Sequence, residues 1–450
     1  MGKRIAVVAG AFAAAAVMIA VVVLLNGRIT TWVESPRFQD LLDRETSKGL
    51  KLTGNCSPMI RVGLLGLHTD SFTGTDGYKT IVNLQAQDIS GTFNPLGVVL
   101  KRWEIDALRV KSASVMLQKT EATPGASKGV PWPPWWALFW PYRVQLADVQ
   151  VEDGNILWKL QDKESGIYHT AVEITPNGHD FEYDARGGDF KTPMTPPLQV
   201  LHAHVLIRKP RLYCNAFVLG DDPAHPEETL SLQGDAGLQD DRSMQLKIDL
   251  TSFKVAPWLP EKIRAHIAGQ ASGHFEYTST GTGLETGHGT GKLSIVNGVL
   301  SGLAPVREYV TVTGSPDPGD MPLKVCQSDV RWEAGAVTVA NIEVECDGVF
   351  RLTGTITIAA DKSLTGQVEL GLSDPYLRWL PTARSNIFTR DEGPYHFTTI
   401  HFSGTAQKPE QDLSPRIAHE VGKSPALALK LFCFVETFLN VLGVDESKTG

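Results

Sequence analysis

The sequence predicts a mainly β fold, an elongated and curved antiparallel sheet of repeated hairpins that forms an apolar groove. Three observations lead there. Apolar and polar residues alternate along most of the chain, which is the period of a strand. The 450 residues include 42 Gly and 27 Pro, enough for many turns. Helical periodicity is confined to the ends and a few short pieces, too little to cover a large apolar sheet face.

The pattern is set by RWEIDALRVKSASVMLQ from Arg102 to Gln118. Trp103 and Ile105 alternate with charged residues, then Leu108 and Val110, then Val115 and Leu117 after a polar break. If residues 111–114 form a hairpin loop, Val110 faces Val115 and Leu108 faces Leu117, so all four project from one face. The spacing returns in Val144, Leu146, Val149, Val151, Ile156 and Trp158 around a turn at Glu152–Asn155. It returns in Val200, Val205, Ile207, Leu212 and Cys214 around Arg208–Arg211, and in weakened form in GKLSIVNGVLSG, with Leu293, Ile295 and Leu300.

Six regions follow in order. Region 1–34 holds an uncharged run from Ile5 to Leu25 behind Lys3 and Arg4, long enough for a helix to cross a bilayer. A cleaved signal peptide is the alternative, but no small-x-small site follows the run. The basic flank keeps the N-terminus cytoplasmic and places the bulk of the chain outside the cytoplasm. Region 35–120 opens with a short helix in which Ser35 caps, Pro36 takes the first turn, Phe38 and Leu42 share a face, and Gly49 ends it. Two or three strands precede the first hairpin.

Region 121–141 contains PWPPWWALFWP. Its tryptophans either plug an open end of the sheet or sit in a membrane interface. Region 142–290 carries two more hairpins separated by a polar segment from Thr175 to Pro197, then a helical or irregular piece around Pro257–Gly269. In region 291–412 strands run nearly back to back, with turns at Glu333–Gly335, Asp347–Gly348 and Asp361–Ser363, and Phe350, Leu352, Ile356 and Ile358 on one face. Region 413–450 ends in an amphipathic helix with Leu427, Leu431, Phe434 and Phe438 in a stripe, interrupted by Lys430 and Glu436.

Composition excludes several classes. Charged residues make up 20% and hydrophobic ones 42%, which excludes disorder, and a net charge of -8 without a basic run argues against a nucleic-acid partner. The five cysteines lack CxxC or zinc spacing, and a turn at Glu333–Gly335 places Cys326 near Ile342 instead of Cys346, so no disulfide is predicted. His202 and His204 share a strand face, but no carboxylate is near in sequence and no metal site is predicted. The run from Gly281 to Lys292 fails the phosphate-loop pattern, having Thr286 in place of the first glycine and Leu293 after the lysine. No nucleophile elbow, zinc-protease or Cys-His context is present, so neither catalytic residues nor a cofactor are expected.

The combined pattern resembles the AsmA-like family of bacterial envelope proteins. The resemblance rests on the N-terminal anchor and capped helix, on FNPLGVVLKRWEIDALRVKSASVMLQ, GTGKLSIVNGVLSG and DVRWEAGAVTVANIEVECDGVFRLTGTITI, and on HFSGTAQKPEQDLSP near the end. It implies a non-enzymatic, single-pass inner-membrane protein with its bulk in the periplasm, moving phospholipids along a β-groove in outer-membrane biogenesis or maintenance. The groove is assigned to Leu108, Val110, Val149, Val151, Val205 and Ile207, with phospholipid acyl chains and the inner membrane as partners. The alternative is an assembly factor with a side-chain-filled core that docks other envelope proteins. A sheet of about 20 strands spaced ~4.8 Å apart runs ~100 Å, and its apolar face needs a second layer or a ligand.

Overall fold

The alternation does produce strands. The structure, a computed structural model, describes residues 27–421 with interruptions, the longest at 118–142. The expected anchor, the tryptophan-rich segment and the C-terminal amphipathic helix lie outside the described residues. Among those described, no helix is long and apolar enough to cross a membrane. The chain divides into two compact units, Met1–His204 and Val205–Gly450.

The first unit opens with helix α1 (Pro36–Leu50), followed by β1 (Thr53–Cys56), β2 (Ile60–Val62), β3 (Gly66–Gly77), β4 (Ile81–Asn94), β5 (Arg102–Leu117), β6 (Arg143–Leu146), β7 (Val149–Leu160), β8 (Lys163–Asn177), β9 (Asp180–Arg186), β10 (Asp189–Thr192) and β11 (Thr195–Arg208), the last crossing the division. Strands β1, β2 and β4 pair with β3, and β5 with β4, all antiparallel. β6 and β7 then lie parallel to β5, so the sheet is mixed and not the antiparallel one expected. β8 pairs antiparallel with β7, β9 and β10.

The parallel pairing explains the repeat. Leu108 lies beside Val149, Val110 beside Val151, Val115 beside Ile156 and Leu117 beside Trp158. The matching places in sequence are lateral neighbours in space. Each segment is one continuous strand, so neither 111–114 nor Glu152–Asn155 is a hairpin loop, and GKLSIVNGVL is likewise unbroken. Only the third expected break coincides with strand ends, at Arg208 and Arg211. A reversal of period-two phase accompanies a turn or a bulge; in β7 the register on β8 shifts around Gly154, whereas in β5 the register on β4 shifts between Asp106 and Arg109 and not at 111–114. Ala107 at φ 49° shifts the register of β5 on β4, and Ile105 and Leu108, on either side of it, join one cluster. Gly154, which had the look of a turn glycine, instead permits close approach: a Cβ there would lie 3.0 Å from the Thr170 carbonyl oxygen.

Helix α1 packs on this sheet. Phe38 and Leu42 share its buried face with Leu41, and join Val33, Leu67, Phe93 and Ile105. Asp43 accepts the Cys56 N–H at 3.0 Å, tying the helix to β1. The Ser35 hydroxyl donates to the Trp32 carbonyl at 2.6 Å, and the helix runs one residue past Gly49. The expected polar segment after Thr175 contains the end of β8 together with β9 and β10.

The second unit continues with β12 (Arg211–Gly220), β13 (Thr229–Gly237), β14 (Met244–Lys254), β15 (Ile267–Ser279), β16 (Gly287–Leu300), β17 (Met321–Glu333), β18 (Ala336–Cys346), β19 (Phe350–Ile358), β20 (Leu364–Ser373), β21 (Arg390–Glu392), β22 (Tyr395–Thr405) and β23 (Lys408–Gln411). β12 to β20 pair antiparallel in sequence order, and β22 follows β20, with β21 and β23 on β22. A 3-10 turn (Ala256–Trp258) and helices α2 (Asp374–Leu377), α3 (Pro381–Asn386) and α4 (Leu413–Val421) complete it. The core gathers Leu352, Val368, Ile400 and Phe402 from strands with Leu377, Leu413 and Ile417 from helices.

Candidate functional site

Side chains directly opposite each other on neighbouring strands project from the same face. That rule assembles rows of side chains in the first unit. One row is Ile89, Val110, Val151, Val172 and Ala185, crossing β4, β5, β7, β8 and β9. The next, two residues along, is Leu108, Val149, Ile174 and Tyr183. Val110 and Val151 are 5% and 9% exposed, while Leu108, Val149, Val172 and Ile174 are half-buried. Leu108 also packs against the α1 cluster.

Between these two rows, and projecting from the opposite face, runs Ser90, Arg109, Gln150, Glu173 and Asp184. Arg109, Gln150 and Glu173 are exposed. One face is therefore hydrocarbon and the other polar over at least four adjacent strands. A third apolar row, Leu84, Val115, Ile156, Ile167, Phe190 and Leu198, crosses β4, β5, β7, β8, β10 and β11. Asp88 and His169, at φ 53° and 57°, lie along the strands between the first and third rows. There Lys111 Nζ stands 3.7 Å from Asp88, and His169 Nδ1 stands 3.1 Å from Asp153.

Of the six expected groove residues, four are thus gathered: Leu108, Val110, Val149 and Val151. Val205 and Ile207 are half-buried on β11 in the second unit. Sequence reading missed Val172, Ile174, Ile167 and Phe190. The alternation of Val172 and Ile174 was a usable signal, since both sit in a stretch of period-two apolar residues directly after a glycine-containing turn candidate. Phe190 was hidden in the segment taken as polar.

The chemistry available is that of surfaces. Cys56, Cys214, Cys326 and Cys346 are free thiols. Burial pushes all four thiols up, Cys56 to about 11 with Asp43 adding to the effect, so none is poised as a thiolate. Cys326 pairs with Val344, two residues beyond the expected Ile342, because the turn is only Ala334–Gly335 and β17 and β18 are bulged between Gln327 and Asp329. Gly287–Lys292 belongs to β16: Gly289 and Gly291 make room for the Phe275 ring, and a Cβ at Gly289 would lie 2.5 Å from Phe275 Cζ. Among the described residues no three His, Cys, Asp or Glu side chains form a ready metal cage. Comparison with protein-family models, curated proteins and solved structures found no match.

Proposed function

We propose that this chain binds phospholipid acyl chains on the apolar rows of its sheet and passes them along without catalysis. In this reading it is an envelope protein, anchored in a bacterial inner membrane by Ile5–Leu25, with its bulk in the periplasm and a role in outer-membrane biogenesis or maintenance. The observation that carries the reading is the pair of adjacent apolar rows through Val110–Val151 and Leu108–Val149, backed by a polar row on the reverse face. Hydrocarbon burial is non-directional, each CH₂ contributing about 0.8 kcal/mol. A row of valines and isoleucines can hold an acyl chain at any register along its length, which suits movement. The finer shape, a groove continuing to Val205 and Ile207, is part of the same proposal.

A photo-crosslinker at Val151 is expected to capture phospholipid when the full chain is extracted gently from membranes, while one at Gln150 is not. Equal capture at the two positions means only membrane proximity, and no capture at either favours an assembly factor whose rows are filled by its own side chains.

A further inference from the structure

The polar face of the first unit begins with two aliphatic side chains that have no core to join. Ile60 and Val62, 50% and 57% exposed, are the two most exposed large apolar side chains among the described residues. Both belong to β2, which is three residues long and pairs with β3. Through that pairing Ile60 heads the polar row, opposite His68 and then Ser90 and Arg109. Val62 stands opposite Gly66 and then Thr92 and Asp106. The pair therefore projects from the face turned away from α1 and its cluster. Arg61, between them, points to the α1 side, where its Nη1 donates to Thr30 Oγ1 at 2.7 Å.

The contact between Arg61 and Thr30 ties this pair to the start of the chain. Thr30 follows Leu25, the last residue of the uncharged run, by five positions. Five residues reach ~7.5 Å as helix and at most ~18 Å extended, and the headgroup layer on each side of the hydrocarbon is itself about 5–8 Å deep. From this geometry we propose that Ile60 and Val62 form a second membrane contact, dipping into the headgroup layer of the bilayer that holds the anchor and setting the orientation of the first unit on it. Aliphatic side chains on the outside of a fold suit that layer, since their burial at its acyl boundary removes them from water. The patch is two side chains wide, and the exposed Arg109, Gln150 and Glu173 farther along the face keep the rest of it in water. That is far below the ~800 Å² per partner of a stable protein interface, and it fits the rim of a lipid surface. The proposal rests on the reading of Ile5–Leu25 as a membrane anchor, and not on acyl-chain binding, because the patch lies on the face opposite the apolar rows.

The test uses the full chain reconstituted in vesicles of phosphatidylethanolamine and phosphatidylglycerol, with a genetically encoded polarity-sensitive fluorophore at Val62 or at Thr53, an exposed residue of β1. The two positions border β3 at Gly66 and Thr75, roughly 30 Å apart along that strand. Phospholipids brominated on their acyl chains near the headgroup are expected to quench the label at 62 and to leave the label at 53 unchanged. Ile60→Ser, at an exposed position that the packing does not use, should reduce the quenching at 62. Flotation of the same vesicles reads the anchor separately. A chain that floats while the two labels respond alike overturns this proposal and leaves the anchor reading standing. A blue-shifted label at 62 that bromine does not quench also overturns it, because a protein surface, a second copy included, then covers the patch. A chain that fails to float overturns both readings.

Discussion

Ala107 is held at φ 49°, where an L-residue with a Cβ is strained by roughly 1–2 kcal/mol. The strain persists because it lets Ile105 and Leu108 enter the same cluster, with Gly91 beside them: a Cβ at Gly91 would lie 2.8 Å from Ile105 Cγ2 and 3.1 Å from Leu108 Cδ1. Ala107→Gly is therefore expected to stabilise the protein by about 0.5–1 kcal/mol, and Ala107→Val to destabilise it by more than that. Urea midpoints measured for the two variants check this, and a glycine variant less stable than wild type would refute the assignment of the bulge. Asn341, at φ 49° on β18, has the same task with a residue type that tolerates it: Val339 and Ile342, of opposite parity, both pack on the second unit's core. The bulge at Ala107 is therefore not legible in the sequence. Alanine carries no signal for a left-handed backbone, whereas asparagine at 297 and 341 does.

At the scale of elements, what was legible depended on turn chemistry. β17 to β20 have the expected limits because Gly335 and Gly348, at φ 84° and 72°, and Lys362, at φ 67°, occupy turn positions that end strands unambiguously. β9 and β10 were missed because their alternation is carried by Phe181, Tyr183 and Phe190 among many charges. The contact between α2 and β22 could not be read at all, since its partners are far apart in sequence. His396 is 5% exposed, with Asp374 of α2 2.8 Å from its Nε2 and Asp391 of β21 bonded at Nδ1. The hydrogen bond from His396 is the largest effect and holds the Asp374 carboxyl below its ordinary 3.8; burial opposes it, and the charges of Arg384, His396 and Arg378 add smaller lowering effects. A carboxylate with a depressed folded value contributes stability that is present above the unfolded value and lost as pH falls through the folded one. Asp374→Asn should accordingly lower the melting temperature from neutral pH down to about 3.8, and the gap from wild type should close at lower pH. An offset that persists unchanged at the acid end would mean that Asp374 acts only by packing.

For the molecule as a whole, the hydrogen-bond ladders join strands mostly to their neighbours in sequence, and each unit has its own buried cluster. The mainly β class was legible because alternation is local. The parallel pairing of β5 with β6 and β7 was not, because it depends on where the connection 118–142 delivers the chain, and nothing in strand composition states that. Arrays in which elements contact chiefly their neighbours unfold by parts, each part limited by its own interfaces. Phe38, fully buried in the first unit, and Leu352, 3% exposed in the second, are the two probes. Truncation to alanine removes about 3–5 kcal/mol of packing from the first cluster at Phe38 and about 2–5 kcal/mol from the second at Leu352. Hydrogen exchange followed by mass spectrometry should show Phe38→Ala accelerating amides of β3 to β5 while those of β18 to β20 keep wild-type rates, and Leu352→Ala doing the reverse. If either variant instead accelerates both sets equally, the units share one cooperative transition, and the apolar rows of the first unit cannot open to a ligand without loosening the core of the second.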